Sequence, residues 1–179
     1  ISDLRGAIAS LHEVIEELDQ VIERDFGVAV RSVDERFREF FTELFGGGTA
    51  RLVLTDPENL AASGVDIIAQ PPGKHAQRLS LLSGGERALT AVALLFALLA
   101  ANPVPFCILD EVDAALDESN VGRFRDMLRH RAQNTQYVVI THNRRTIEAA
   151  ETIYGISMED QGVSQCISLQ VSESSAQPS

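Results

Sequence analysis

The most constraining feature of the sequence is a small-residue turn, an apolar helix and an acid-bearing strand in direct succession within residues 80–118. Ser83-Gly84-Gly85 opens the helix predicted over residues 84–101. Glycine lets a backbone approach a ligand closely, and the first N–H groups of a helix suit an anion such as phosphate. We therefore predict a phosphate contact at the start of this helix.

The strand predicted over residues 104–109 delivers two carboxylates. Its apolar run is typical of a buried parallel strand, and open α/β sheets bind ligands at the carboxyl ends of their strands. At that edge Asp110 can hold Mg²⁺ and Glu111 can orient or deprotonate an attacking water. His142 ends the next predicted strand, residues 137–140, and can hydrogen-bond a phosphate oxygen there. Alone, a histidine in this place would more often be structural.

The length, charge and cysteine content of the chain limit the classes of protein to which it can belong. The chain has 179 residues, enough for one sizeable domain, and a 45% hydrophobic content that supports a core. Its net charge of −11 does not attract DNA phosphates, so we expect any DNA contact mainly elsewhere in a larger protein. Two cysteines, Cys107 and Cys166, favour a reducing compartment over a disulfide scaffold. No signal peptide opens the chain, and the apolar stretch at residues 88–101 is short for a membrane span.

Residues 1–26 carry a heptad seam, with apolar residues spaced alternately three and four apart. The seam is formed by Ile1, Leu4, Ile8, Leu11, Ile15, Leu18 and Ile22. It predicts either the root of a coiled coil or an amphipathic helix that lies on the domain's own core. The chain begins in mid-pattern without an initiator Met, so we expect a piece of a longer helical arm. Helical spacing returns over residues 33–45 and stops at Gly46-Gly47-Gly48.

The remaining elements complete an α/β pattern with a parallel sheet flanked by helices. Short strands are predicted at residues 50–55 and 65–69, and a helix opens at Asp117-Glu118-Ser119-Asn120. That helix has a core face and an arginine face, which is either solvated or a partner contact. A closing hairpin is predicted over residues 153–158 and 163–169, and a Ser-rich disordered tail over 172–179.

Three motifs resemble those of ATP-binding-cassette ATPases. Leu82-Ser83-Gly84-Gly85-Glu86 resembles their signature motif, and Thr141-His142-Asn143 resembles the segment with the switch histidine. The run from Ile108 to Asp117 resembles the Walker B and D-loop segment as it is written in structural maintenance of chromosomes (SMC) proteins. The chain thus resembles the C-terminal half of a prokaryotic SMC ATPase head. That resemblance implies a coiled-coil root at 1–26, a C-terminal head lobe at 27–171 and a tail at 172–179.

The resemblance also implies roles for individual residues. Glu111 and His142 would be catalytic, Asp110 would be on the side of the Mg²⁺, and ATP would be the nucleotide. Ser83, Gly84, Gly85 and Asp117 would bind the nucleotide that a second head holds. ATP would then join two heads, and its hydrolysis would release them.

One motif of such ATPases is missing, since no Gly-x-x-x-x-Gly-Lys-Ser/Thr occurs in the 179 residues. The resemblance implies that the N-terminal lobe of the same head supplies this loop, so we expect this polypeptide alone not to turn over ATP. Other implied partners are a second head in an ATP-dependent homodimer, a kleisin subunit, and DNA through the full complex, with no membrane. The implied function is chromosome condensation and segregation in the cytoplasm, at the nucleoid.

Two other functions stay open. The first is the split head of another coiled-coil ATPase, acting in DNA double-strand-break repair. The residues after Asp110-Glu111 favour SMC, because the repair type commonly carries Glu-Pro-Thr after the aspartate. The second is a non-catalytic module that binds a kleisin, which is compatible with a lobe that also completes a catalytic site.

Overall fold

A computed structural model of the chain describes residues 2–60, 62–158 and 164–171. The predicted tail at 172–179 and the predicted hairpin turn lie outside these residues. The chain divides between Val104 and Pro105 into two compact units, which are described separately below. The elements confirm an α/β chain with helices and sheets.

The first unit begins with one long helix, α1 (Ser2–Phe45), which joins the two predicted helical segments without a break. It ends at Gly46, Gly47 and Gly48, with φ of 67°, 138° and 74°. Residues other than glycine rarely adopt this left-handed backbone region. In addition, a Cβ on Gly48 would lie 2.3 Å from the carbonyl oxygen of Gln70. The predicted glycine stop is confirmed.

The seam of α1 does not pack on the core of this chain where its side chains are described. Leu11, Ile15, Leu18 and Ile22 are each between 46% and 64% exposed. Further along the helix, the side chains turn inward and are buried: Val33, Phe37, Phe40, Phe41, Leu44 and Phe45. One helix therefore carries an uncovered apolar seam at one end and core residues at the other.

The core of the first unit lies between α1 and α2 (Gly84–Ala101). The buried face of α2 consists of Leu89, Thr90, Val92, Ala93, Phe96 and Ala97. The rings of Phe41 and Phe45 stack with centroids 4.1 Å apart, and Phe40 meets Phe96 across the two helices at 6.2 Å. Between the helices in sequence, β1 (Thr49–Leu54), β2 (Val65–Gln70) and β3 (Gln77–Arg78) form an antiparallel sheet in that order.

Among the described residues, α2 is the one helix that is long and apolar enough to cross a membrane by composition. Core helices pass the same test, and the buried face of α2 contains a phenylalanine that packs against α1. The predicted bounds of this helix, residues 84–101, are confirmed.

The second unit is built on a parallel pair of strands. β4 (Phe106–Asp110) pairs with β5 (Gln136–Ile140) in register, with Ile108 opposite Val138, and α3 (Glu118–Arg131) connects them. The predicted core face of α3 is confirmed, since Val121, Phe124, Met127 and Leu128 are buried. The short helix α4 (Arg144–Ile147) and the antiparallel strands β6 (Thr152–Met158) and β7 (Ser164–Gln170) follow.

The prediction that β4 is buried on both faces is wrong for this chain. Phe106 and Ile108 are 58% and 60% exposed, while Leu109, on the opposite face, is buried. Val138 and Ile140 of β5 are exposed as well. Alternate residues of a strand point to opposite faces, so one side of this parallel pair is an uncovered apolar surface.

Candidate nucleotide site

The Ser83 turn is held by a capping box at the start of α2. The Ser83 hydroxyl donates to Glu86 Oε2 at 2.8 Å and accepts from the Glu86 N–H at 3.4 Å, and the Ser83 N–H donates back to Glu86 Oε2 at 3.1 Å. These bonds fix the entry of the chain into the helix. Among the described residues outside its neighbours and its own helix backbone, a Cβ on Gly84 would meet no heavy atom within 4 Å. Packing against those residues therefore does not require this glycine, and its contact with a ligand stays a prediction.

Lys74 stands beside this capping box. Its Nζ lies 2.8 Å from Glu86 Oε1, so one carboxylate joins the Pro71-Pro72-Gly73-Lys74 turn to the Ser83 turn. The bond from Lys74, followed by that from the Ser83 hydroxyl, lowers the pKa of Glu86 below its ordinary value. Glu86 is therefore ionised at neutral pH, and the ion pair orders both turns.

A lowered pKa in the folded state makes the stabilising effect of Glu86 depend on pH. Its contribution is present above the unfolded value of 4.5 and is lost as pH falls through the lower folded value. We expect Glu86→Gln to reduce the free energy of unfolding by about 1 kcal/mol at pH 7. At pH 3 the difference from wild type should shrink. Urea titrations at both pH values measure this.

Glu39→Gln is the control for that experiment, because Glu39 is an exposed carboxylate whose partner, Arg36, is 3.5 Å away. It should change the free energy of unfolding little at either pH. A difference between wild type and Glu86→Gln that is the same at pH 7 and pH 3 would contradict the assigned role of the ion pair.

At the carboxyl edge of the parallel pair, the structure brings the two predicted catalytic residues together. Glu111 Oε1 lies 3.8 Å from His142 Nδ1, and the two side chains are 62% and 77% exposed. The N–H of Glu111 donates to the carbonyl of Ile140 at 2.9 Å, which joins the end of β4 to the end of β5. Both side chains therefore face open space at the sheet edge, where a substrate can reach them.

The backbone of Glu111 has a φ of 47°, the left-handed region that non-glycine residues seldom occupy. It is the one non-glycine residue of the described chain with a positive φ. Such conformations cost energy and concentrate at functional sites. The sequence gives no sign of it, because no glycine or asparagine stands at this position.

Asp110, the predicted metal ligand, is the last residue of β4 and is exposed. In the described part of the chain, no three His, Cys, Asp or Glu side chains are grouped to hold a metal ion. Mg²⁺ commonly uses one or two carboxylates and completes its shell with water and phosphate oxygens. An exposed carboxylate at this edge fits that mode of binding, and the role of Asp110 as a Mg²⁺ ligand stays a prediction.

Asp117 is the N-cap of α3. Its Oδ1 accepts from the Asn120 N–H at 2.9 Å and from the Ser119 hydroxyl at 2.8 Å, and its Oδ2 accepts from the Asn120 side chain at 3.1 Å. The Asn120 N–H, followed by the Ser119 hydroxyl, lowers the pKa of Asp117. Its contact with a nucleotide stays a prediction, as do those of Ser83, Gly84 and Gly85.

A further carboxylate near this edge, Asp113, has no role predicted from the sequence. It is buried and binds two hydroxyls from the segment that contains His142. The only signal in the sequence is an acid within the otherwise apolar stretch Val112-Asp113-Ala114-Ala115-Leu116.

Residues 4–165 match the family described as RecF/RecN/SMC N terminal domain. The chain is 53% identical over 171 residues to the chromosome partition protein Smc of Bacillus subtilis, and 47% identical over 174 residues to that of Myxococcus xanthus. These matches cover 96% and 97% of this chain and 14% of each relative. The chain thus spans a small part of the length of these relatives.

Solved structures of SMC heads are also similar to this chain. The Smc head of Pyrococcus furiosus with an extended coiled coil, bound to the C-terminal domain of ScpA, is 38% identical with a TM-score of 0.78, covering 94% of this chain and 42% of that one. An Smc head bound to the C-winged helix domain of ScpA is 41% identical with a TM-score of 0.73, covering 79% and 43%. A structure described under ATP-driven dimerization and DNA-stimulated activation of SMC ATPases is 39% identical with a TM-score of 0.75, covering 85% and 89%.

The fold and these matches define the class as an α/β chain of the ATPase head type. The chain belongs to the SMC family, within the RecF/RecN/SMC group. The predicted resemblance is confirmed, and the SMC interpretation is favoured over an ATPase of double-strand-break repair.

Proposed function

We propose that this chain is the C-terminal lobe of an SMC ATPase head, which supplies the signature motif, Walker B segment, D-loop and switch histidine for ATP-driven head engagement. The observation that carries the proposal is the approach of Glu111 and His142 at the edge where Asp110 ends β4. Parallel sheets bind ligands at this edge. The full protein would act in chromosome condensation and segregation, in the cytoplasm at the nucleoid.

The chemistry assigns one task to each side chain. Phosphoryl transfer depends mainly on positioning and charge neutralisation, which Mg²⁺ held partly by Asp110 would supply. Glu111 accepts a proton from the attacking water or orients it, and its exposed carboxylate is free to reach one. His142 donates to a γ-phosphate oxygen from the neighbouring strand end.

The missing phosphate-binding loop would come from the N-terminal lobe of the same head. Two features support such a partner: the motif is absent from this sequence, and β4 and β5 expose the apolar side chains Phe106, Ile108, Val138 and Ile140. Exposed contiguous apolar surface commonly marks an interface. A lobe that covers this face would place its loop beside Asp110 and Glu111.

The hairpin β6–β7 supports a kleisin as a second partner. It exposes Tyr154, Ile156, Met158, Ile167 and Leu169, and two related heads were solved bound to ScpA. A second head and DNA, through the full complex, are further partners. A pull-down with a kleisin C-terminal domain, repeated with Tyr154→Ser and Ile156→Ser together, tests whether the hairpin is the contact.

The proposal is tested by hydrolysis with and without the phosphate-loop half. We expect the 179-residue chain alone to release no phosphate from ATP above background. The reason is that this chain holds Glu111, whereas the N-terminal half holds the loop that binds the phosphates. Co-expression with the N-terminal half should restore steady hydrolysis. Activity of the purified 179-residue chain that Glu111→Gln abolishes would refute the division of the site.

A further inference from the structure

We propose that Asp113 is a positioning residue that ties the loop after β4 to the loop after β5 and so sets His142 against Glu111. The inference rests on the proposed function, and it adds a residue to which the motifs assign no role. Asp113 touches neither reacting group itself. It acts through two threonines that stand on either side of His142 in the sequence.

The carboxylate of Asp113 is the centre of a small polar cluster inside the second unit. The residue is 2% exposed. Its Oδ2 accepts the hydroxyl of Thr141 at 2.7 Å and the hydroxyl of Thr146 at 2.5 Å. A buried carboxylate is costly unless donors surround it, so the two hydroxyls and the carboxylate hold each other in place.

Thr141 connects the Asp113 carboxylate to the backbone on both sides of His142. The Thr141 O–H donates to Asp113, and the same hydroxyl oxygen accepts the N–H of Asn143 at 2.9 Å. Asn143 in turn accepts the N–H of Arg145 and caps α4. The backbone of His142 is therefore fixed from the residue before it and from the residue after it.

The other end of the cluster is fixed to Glu111. The N–H of Ala114 donates to the carbonyl of Glu111 at 3.1 Å, and the N–H of Leu116 donates to the carbonyl of Asp113 at 3.1 Å, which closes the loop after β4 into consecutive turns. Glu111 and His142 are mostly exposed, so packing does not confine their side chains. Their separation is set by the backbones. The pairing of β4 with β5, which ends in the bond from the Glu111 N–H to the Ile140 carbonyl, joins these backbones before His142, and Asp113 joins them again through Thr141 and Thr146.

A purely structural cluster would show the same bonds, so the test must detect an effect that passes through His142. In the full-length protein, Thr141→Val removes the hydroxyl with little change of shape. We expect kcat for ATP hydrolysis to fall roughly tenfold, the scale of a displaced catalytic group, while KM for ATP changes less than about twofold. Thr141→Ser keeps the hydroxyl and should restore kcat to within about twofold of wild type.

The decisive measurement is a double-mutant cycle with His142→Ala. If Thr141 acts by placing His142, Thr141→Val should lower kcat in the wild-type background and have little further effect beside His142→Ala. Thr55→Val is the control, because the Thr55 hydroxyl, like that of Thr141, donates one bond and accepts a backbone N–H. Its partners are the carbonyl and the N–H of Gly64, in an exposed turn of the other unit. Should Thr141→Val not fold, Thr146→Val takes its place in the same cycle.

Two results would overturn the positioning role: an equal loss of kcat from Thr141→Val in both backgrounds, or a kcat within twofold of wild type. Failure of the proposed function looks different. In that case His142→Ala and Glu111→Gln would themselves leave the hydrolysis rate unchanged, whatever Thr141→Val did.

Discussion

Glu111→Gln in the full-length protein is expected to lower kcat for ATP hydrolysis by about 10²–10³-fold, within the range for loss of a general base. Glutamine keeps the size of the side chain and a hydrogen-bond acceptor, but it cannot take up a proton. ATP binding should survive, because the role proposed for Glu111 is to act on water and not to hold the nucleotide. Rates of phosphate release and equilibrium binding of ATP separate the two effects.

The same substitution should leave ATP bound between paired heads, since in the proposed function the heads release only when the γ-phosphate is lost. Gel filtration with ATP should show the pairs. The control is Glu148→Gln, which changes an exposed glutamate 3.6 Å from Arg125, outside the site. Its kcat should stay within about twofold of wild type. Unpaired heads in Glu111→Gln, or hydrolysis at the wild-type rate, would contradict the role of Glu111.

Phe96→Ala is expected to cost the 179-residue chain about 3–5 kcal/mol of unfolding free energy, the usual loss for a large aromatic side chain in a core. Phe96 is 1% exposed and meets Phe40 of α1 across the helix pair. Removing the ring leaves a cavity in the interface that holds α2 to α1. Urea unfolding followed by circular dichroism measures the difference.

Leu98→Ala is the matched control on the same helix. Leu98 is 50% exposed, so its removal deletes less buried area and opens no enclosed cavity. We expect a loss below about 1 kcal/mol. Similar losses for the two variants would mean that the α1–α2 interface is not the core of this unit.

Much of the fold could be predicted because its signals are local. The apolar helix α2 has a serine–glutamate capping box at its start and Asn102-Pro103 at its end, and the three glycines end α1 at Phe45. The parallel pairing of β4 with β5 followed from a strand, a helix and a strand in succession. The core face of α3 followed from its helical spacing.

The features that could not be predicted depend on contacts between distant residues. The ion pair of Lys74 with Glu86 spans β3 and a one-turn 3₁₀ helix, Leu79–Leu81. The hydroxyls that Asp113 binds lie 28 and 33 residues away. Periodicity carries no such information. The apolar run of β4 predicted burial on both faces, but a sequence does not show whether both neighbours belong to the same chain.

At the site, Glu111 and His142 were expected to meet because adjacent parallel strands end at one edge, and they do. The left-handed backbone of Glu111 had no signal, since no glycine marks it. The roles of Ser83, Gly84, Gly85 and Asp117 in nucleotide binding stay predictions, because each concerns a contact with a second head.

Because α1 is one unbroken helix, the direction in which its N-terminal seam faces is fixed relative to its buried phenylalanines. Its 44 residues, at about 1.5 Å each, extend for about 66 Å. Each residue turns the helix by about 100°. One residue inserted between Ile22 and Val33 would therefore rotate the seam by about 100° around the helix axis relative to the buried phenylalanines of α1. Seven inserted residues would nearly restore the original direction. The direction in which a partner of these exposed residues would lie is therefore fixed by the packing of α1 against α2.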